Sequence, residues 1–144
     1  MLKGLSIAGY LAMVGGVLGL ILTRSVFSCS PAVIVVQLVA VALMIWARVV
    51  FGRRSFHAAA NPTEGGLVTT GPYRHIRHPI YTAVCLFTVA AVLAHWSWHA
   101  IILGGIVLVG AAARIIGEER LLADRYPAYR DYAARTPRMI PFVF

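Results

Sequence analysis

The chain is poor in acid. Five Asp and Glu residues stand against 13 Lys and Arg, for a formal net charge of +8 over 144 residues. It is poor in cysteine as well, with two residues, Cys29 and Cys85, and no C-x-x-C pair, so no zinc pattern is present. Cys29 falls in a short connection and Cys85 inside an apolar run, an arrangement that excludes a bridge between them. Charge of either sign is scarce: 12% of residues are charged and 60% are hydrophobic, with a mean hydropathy of +0.80. That balance excludes an ordinary soluble domain, and the length excludes several domains. No alternating polar–apolar pattern of a membrane β-barrel occurs.

What is present is long apolar runs. Four stand out, at roughly 5–22, 31–51, 79–94 and 100–117. Each is close to the ~20 residues that cross a hydrocarbon core of ~30 Å, the third being at the short end. The fold class expected is therefore all-α: a polytopic membrane protein with four transmembrane helices and a long cytosolic loop between helices 2 and 3. A cytosolic helical tail closes the chain, and residues 1–144 form one domain. The first run follows Lys3 in the manner of a signal peptide, but it is longer than a signal core and is followed by Arg24 rather than a small-residue cleavage site, so it reads as a retained helix. With four spans, Lys3, Arg48, Arg53, Arg54, Arg74, Arg77, Arg114, Arg120, Arg125, Arg130, Arg135 and Arg138 share one side, and Arg24 stands alone on the other. The positive-inside rule then puts both termini and the middle loop in the cytoplasm, in a cell inner or plasma membrane. The basic charge is explained by topology and anionic headgroups, with no need of nucleic acid.

Within the runs, Gly15, Gly16 and Gly19 suit close helix packing rather than a nucleotide loop, since no strand precedes them. Such helices pack within one chain or between two, and the oligomeric state stays open. His95 and His99, at i and i+4, lack a visible third ligand, so no metal is expected. Trp96 and Trp98 read as interfacial anchors.

The densest polar cluster sits at the entrance to the third run, in GPYRHIRHPIY, residues 71–81. It ends the 27-residue connection Gly52–His78, a length that marks a functional loop. Pro79 suits the first turn of a helix, so His78 and Tyr81 gather at a helix N-terminus, which favours an anionic group. Tyr73 and Tyr81 offer flat faces and hydroxyls for a nucleoside. At the far end of the fourth run, Arg114 and Glu118 are one helical turn apart and project from one face. Glu118 complements an ammonium group or ribose hydroxyls, and Arg114 offers a bidentate donor to a carboxylate or phosphate. A plain i, i+4 ion pair is the competing explanation of these two.

The stretches LVTTGPYRHIRHPIY (67–81) and EERLLADRYPAYRDYAARTPRMIP (118–141) closely resemble the isoprenylcysteine carboxyl methyltransferase and phospholipid methyltransferase superfamily of integral-membrane enzymes. The shared elements are G-x-Y-x-x-x-R-H-P-x-Y before a membrane helix, then E-E, Y-x-x-Y and R-x-x-P, covering residues 65–141. The resemblance implies S-adenosylmethionine as cofactor. It implies that Leu67, Val68, Thr69, Gly71, Tyr73, His78, Pro79, Ile80, Tyr81 and Glu118 hold that cofactor, and that Arg114 orients an acidic acceptor. The acceptor implied is lipophilic and partitions into the bilayer; carboxylate, amine and thiol all stay open. Gly65 departs from a histidine of the eukaryotic isoprenylcysteine enzymes, Pro127 from a frequent glycine, and the extra N-terminal spans of those enzymes are lacking. The alternatives are a non-enzymatic membrane scaffold and a reductase-like relative using NADPH.

Overall fold

In the computed structural model, residues 2–52 and 66–140 are described; Arg53, Arg54, most of the NPTEGG turn, Gly65 and Pro141 lie outside them. The order is α1 (Leu2–Leu22), α2 (Pro31–Phe51), a 3₁₀ turn (Gly71–Arg74), α3 (Pro79–Ala94), α4 (Trp98–Arg125) and α5 (Tyr129–Arg135). Among the described residues there is no strand. Local chemistry accounts for the helix boundaries. Pro31 and Pro79 occupy the first turns of α2 and α3, where a missing N–H costs nothing. Gly52 ends α2 at φ 69°. Ser97 caps α4 by accepting from the Ala100 amide at 3.3 Å.

Three helices, α1, α2 and α4, are long and apolar enough to cross a membrane. The fourth expected span, α3, has 16 residues and rises only about 24 Å, short of the hydrocarbon thickness. α4 departs in the other direction. Its 28 residues rise about 42 Å, so one end projects beyond any bilayer core. The large apolar side chains left on the surface of α1 and α2, among them Leu11, Leu18, Val35 and Leu38, form the band that lipid covers.

α1 packs antiparallel on α4 through small residues. The backbone contact is so close that a Cβ on Gly9 would stand 2.7 Å from the Gly110 carbonyl, and one on Gly110 would stand 2.6 Å from the Gly9 carbonyl. Gly16 and Gly19 meet Val107 and Leu103 in the same seam. Gly15, grouped with them in the sequence, has nothing within 4 Å of its Cβ position, and Gly9 takes its place in the interface. With no apolar-water driving force between helices inside lipid, this van der Waals approach is what holds the pair. α3 packs against α2 and α4, with Gly104 of α4 accommodating Val92.

These contacts put the start of α1, the end of α2, the start of α3 and the C-terminal half of α4 at one end of the bundle. The opposite end is closed by Leu20, Val26 and Ala100, with the buried Gln37 side chain donating to the Val26 carbonyl at 2.7 Å. Exposed Trp96 and Trp98 lie at that end too.

Gly110→Val is expected to pry α1 from α4 and to lower stability in detergent by about 2 kcal/mol. Gly105→Ala, on a face with nothing within 4 Å, should change it by no more than about 0.5 kcal/mol. Thermal unfolding of the two variants checks the pair, and equal behaviour would contradict the packing described.

Candidate functional site

The fourth apolar helix carries a cation into the protein interior. Arg114 is 5% exposed, and a charge so placed persists only with partners. Its Nη2 donates to Glu118 Oε1 at 2.9 Å, one turn along α4. Its Nε donates to the Tyr81 hydroxyl at 2.6 Å, and that hydroxyl donates in turn to Glu118 Oε1. Nη1 reaches the Ser6 carbonyl of α1 at 3.5 Å. The guanidinium also lies over two aromatic rings, with centroids 5.4 Å away at Tyr10 and 5.9 Å away at Tyr81. The ion pair that competed with a functional explanation does form, but inside a three-residue cluster spanning α3 and α4.

The neighbouring acid has another task. Successive helix residues point about 100° apart, so Glu119 leaves the Arg114 cluster and faces the loop and tail. Arg77 Nη1 lies 3.2 Å from it, His78 Nε2 3.3 Å, and Arg138 Nη2 3.0 Å. His78, expected beside Glu118, thus belongs to Glu119. Backbone bonds reinforce this convergence: the Arg77 and His78 amides donate to the Pro137 and Arg138 carbonyls at 2.8 and 2.9 Å, and Thr82 Oγ1 donates to the Met139 carbonyl at 3.0 Å. The segment after α5 is tied along the entrance of α3.

Tyr73 connects the loop to the Glu118 cluster. Its ring packs against Phe51 with centroids 5.4 Å apart, and its carbonyl accepts from the Tyr132 hydroxyl of α5 at 2.6 Å. Among the described residues, its own hydroxyl is buried with no hydrogen-bond partner. Burial, and then the nearby Glu118 carboxylate, push that hydroxyl well above the ordinary phenol range, so Tyr73 is a neutral donor. A recess of about 460 Å³ is lined by Val50, Phe51, Gly52, Leu67, Val68, Thr69 and Thr70. Gly71 allows the loop this course. Its φ is 58°, and a Cβ there would stand 2.7 Å from Val50 Cγ2.

The candidates from sequence therefore fall into adjoining groups. Leu67, Val68 and Thr69 line the recess and Gly71 turns the chain beside it. Tyr73 packs on Phe51, which lines the recess, and feels the charge of Glu118, which Tyr81 and Arg114 contact directly. Pro79 is buried at the start of α3 and Ile80 is half-buried beside it. His78 joins the tail instead. Sequence reasoning missed Ser6, Gly9 and Tyr10, although a lone tyrosine in an apolar run was a signal. Glu119 and Arg138 stood in the E-E and R-x-x-P elements without an assigned role, although one acid faced a surplus of bases. His95 and His99 are turned to other partners, the Ala91 carbonyl at 3.1 Å and the Trp98 ring.

Glu119→Gln leaves two guanidinium groups and the His78 ring facing a neutral amide. It is expected to lower stability by about 2–3 kcal/mol and to speed tryptic cleavage at Arg135 and Arg138 several-fold. Cleavage at the wild-type rate would show that Glu119 does not hold the tail.

A family model described as phospholipid methyltransferase matches residues 31–129. Over 79 residues the chain is 40% identical to the nickel-cobalt-cadmium resistance protein NccN of Alcaligenes xylosoxydans xylosoxydans, covering 52% of this chain and 36% of that one. Over 77 residues it is 35% identical to the cobalt-zinc-cadmium resistance protein CzcN of Cupriavidus metallidurans, covering 52% and 35%. The matched part spans about a third of the length of these relatives. No solved structure matches the chain. The family match takes in α2, the Tyr73 loop, α3, Arg114 and both glutamates, and on that footing the chain belongs to the phospholipid methyltransferase family, within the isoprenylcysteine and phospholipid methyltransferase membrane superfamily.

Proposed function

We propose that the protein transfers a methyl group from S-adenosylmethionine to a lipophilic acceptor at the cytosolic face of a membrane, with residues 1–144 acting as one unit and α3 completing a fourth, short span. The observation that carries this reading is the orphaned Tyr73 hydroxyl, buried within the influence of Glu118 on a ring that packs against Phe51 at a recess the loop lines. A buried donor without a partner costs about 1–3 kcal/mol, and a nucleoside placed between the recess and Glu118 would repay it. The residues fit the cofactor's chemistry. Leu67, Val68 and Thr69 would line its apolar surface, Tyr73 and Glu118 would meet its hydroxyls or ammonium, and the α3 entrance at His78, Pro79, Ile80 and Tyr81 would close over it.

When bound, S-adenosylmethionine supplies a methyl group made electrophilic by the adjoining sulfonium. The protein's part is alignment and exclusion of water. Arg114, held between Tyr81 and α1, orients an acidic acceptor, and burial strengthens that attraction relative to water. Tyr81 fixes the guanidinium by accepting from Nε while donating to Glu118. A carboxylate acceptor needs no base. A protonated amine or thiol would need to lose its proton, and Tyr81 and Glu118 are already engaged by neighbours. The basic residues gathered at the Arg114 end of the bundle agree with a cytoplasmic placement of that end.

Isothermal calorimetry of the detergent-solubilised chain tests the reading. S-adenosylhomocysteine is expected to bind and NADPH not to. Glu118→Ala should weaken S-adenosylhomocysteine at least tenfold, whereas Arg114→Ala should leave it bound and impair acceptor use. Binding of NADPH alone would replace the methyltransferase reading with a reductase. Binding of neither would favour a scaffold.

A further inference from the structure

The N-terminal helix lies outside the matched family region, which begins at residue 31, yet it makes one wall of the Arg114 site. Three successive features of α1 meet this side chain. The Ser6 carbonyl accepts from Nη1. Gly9 has no side chain, and a Cβ there would come within 3.2 Å of Arg114 Cγ. Tyr10 places its ring 5.4 Å from the guanidinium carbon. α4 thus carries the arginine between an aromatic from α1 and an aromatic from α3. Both α1 and α3 pack on α4, and Arg114 is held between their two aromatic side chains.

The two rings differ in exposure. Tyr81 is buried at 8% and bonded through its hydroxyl on both sides. Tyr10 is 40% exposed and stands on the flank of α1, where Leu11, Val14 and Leu18 also face the surrounding lipid. A molecule reaching Arg114 from the hydrocarbon passes the Tyr10 ring before it meets the charge.

We propose that Tyr10 is a specificity-determining residue of the acceptor site: its ring holds the Arg114 guanidinium in place from the lipid-facing side and packs against the chain of a long-chain carboxylate whose headgroup pairs with that guanidinium. The assignment rests on the methyl-transfer reading in one respect. Glu118 balances Arg114 in the structure as it stands, and engagement of Glu118 by the cofactor is what turns the guanidinium over to a new anion. The carboxylate is favoured over an amine because the charge held beside the ring is a cation, which attracts a carboxylate and repels an ammonium. The ring accounts for selectivity by two routes. Its face stabilises the cation by direct electrostatics, and its lipid-facing edge adds apolar contact for the chain.

Scintillation-proximity binding of radiolabelled dodecanoate to the full chain in detergent, with dodecylamine as competitor and with and without saturating S-adenosylhomocysteine, tests the assignment. Wild type and Tyr10→Phe should bind dodecanoate and resist displacement by the amine. Tyr10→Leu should bind it about tenfold more weakly, with its affinity for S-adenosylhomocysteine unchanged. Equal dodecanoate affinity in all three proteins overturns the role of Tyr10. An equal loss in Phe and Leu overturns the role of the ring, and loss of S-adenosylhomocysteine affinity along with dodecanoate reduces Tyr10 to a structural contact. Displacement by the amine overturns the choice of a carboxylate. Failure of the wild type to bind S-adenosylhomocysteine overturns the methyl-transfer reading, whereas wild-type binding of S-adenosylhomocysteine without dodecanoate overturns the acceptor assignment alone.

Discussion

A guanidinium buried among apolar helices is the constraint around which the rest of this molecule is arranged. Moving such a charge out of water costs several kcal/mol unless its hydrogen bonds and its charge are both answered. The answers come from three helices. Glu118 lies one turn along α4, Tyr81 is in the first turn of α3, and Ser6 and Tyr10 are in the second and third turns of α1. For α1 to lie close enough, both backbones lose their side chains at Gly9 and Gly110. The Arg114 cluster therefore couples the packing of the bundle to the chemistry at its end. A substitution that displaces α1 would disturb the site without touching any residue of the matched family region.

Two adjacent acids divide the remaining work by helical geometry alone. Glu118 turns inward to Arg114 and Tyr81; Glu119 turns to Arg77, His78 and Arg138. The second set ties the tail across the start of α3, and Tyr132 adds a further tie at the Tyr73 carbonyl. An α3 of only 16 residues is thereby anchored at its entrance by polar bonds rather than by span length. The loop and tail form a polar cap over one end of an otherwise greasy bundle. Burial raises the Tyr129 hydroxyl to about 12, so the aromatic side of that cap stays uncharged at neutral pH.

The helices were legible because apolar runs and prolines mark them directly: Pro31 and Pro79 begin α2 and α3 where the sequence placed them. The short α3 was visible as a short run, and its consequence for the four-span topology was not. Helix pairing was only half legible. Glycine clustering pointed to Gly15, Gly16 and Gly19, while the seam uses Gly9, Gly16 and Gly19, because which face meets a neighbour depends on rotation and not on composition. At the site, Arg114 and Glu118 followed from their spacing and Tyr81 from its place in the polar stretch. The pairing of His78 with Glu119 was hidden, since distance along the chain says nothing about which of two adjacent acids faces the loop. Tyr10 was hidden for the same reason, being more than a hundred residues from its partner.

The central claim is that the recess beside Phe51 and the Glu118 cluster are halves of one methyl-donor site. A crystal structure grown in a lipidic mesophase with S-adenosylhomocysteine tests it most directly. The account predicts the nucleoside between the Leu67–Thr69 segment and Glu118, with the Tyr73 hydroxyl bonded to it and Arg114 drawn away from Glu118. Ligand density elsewhere, with the Arg114–Glu118–Tyr81 cluster unchanged and the Tyr73 hydroxyl still unpartnered, would contradict it.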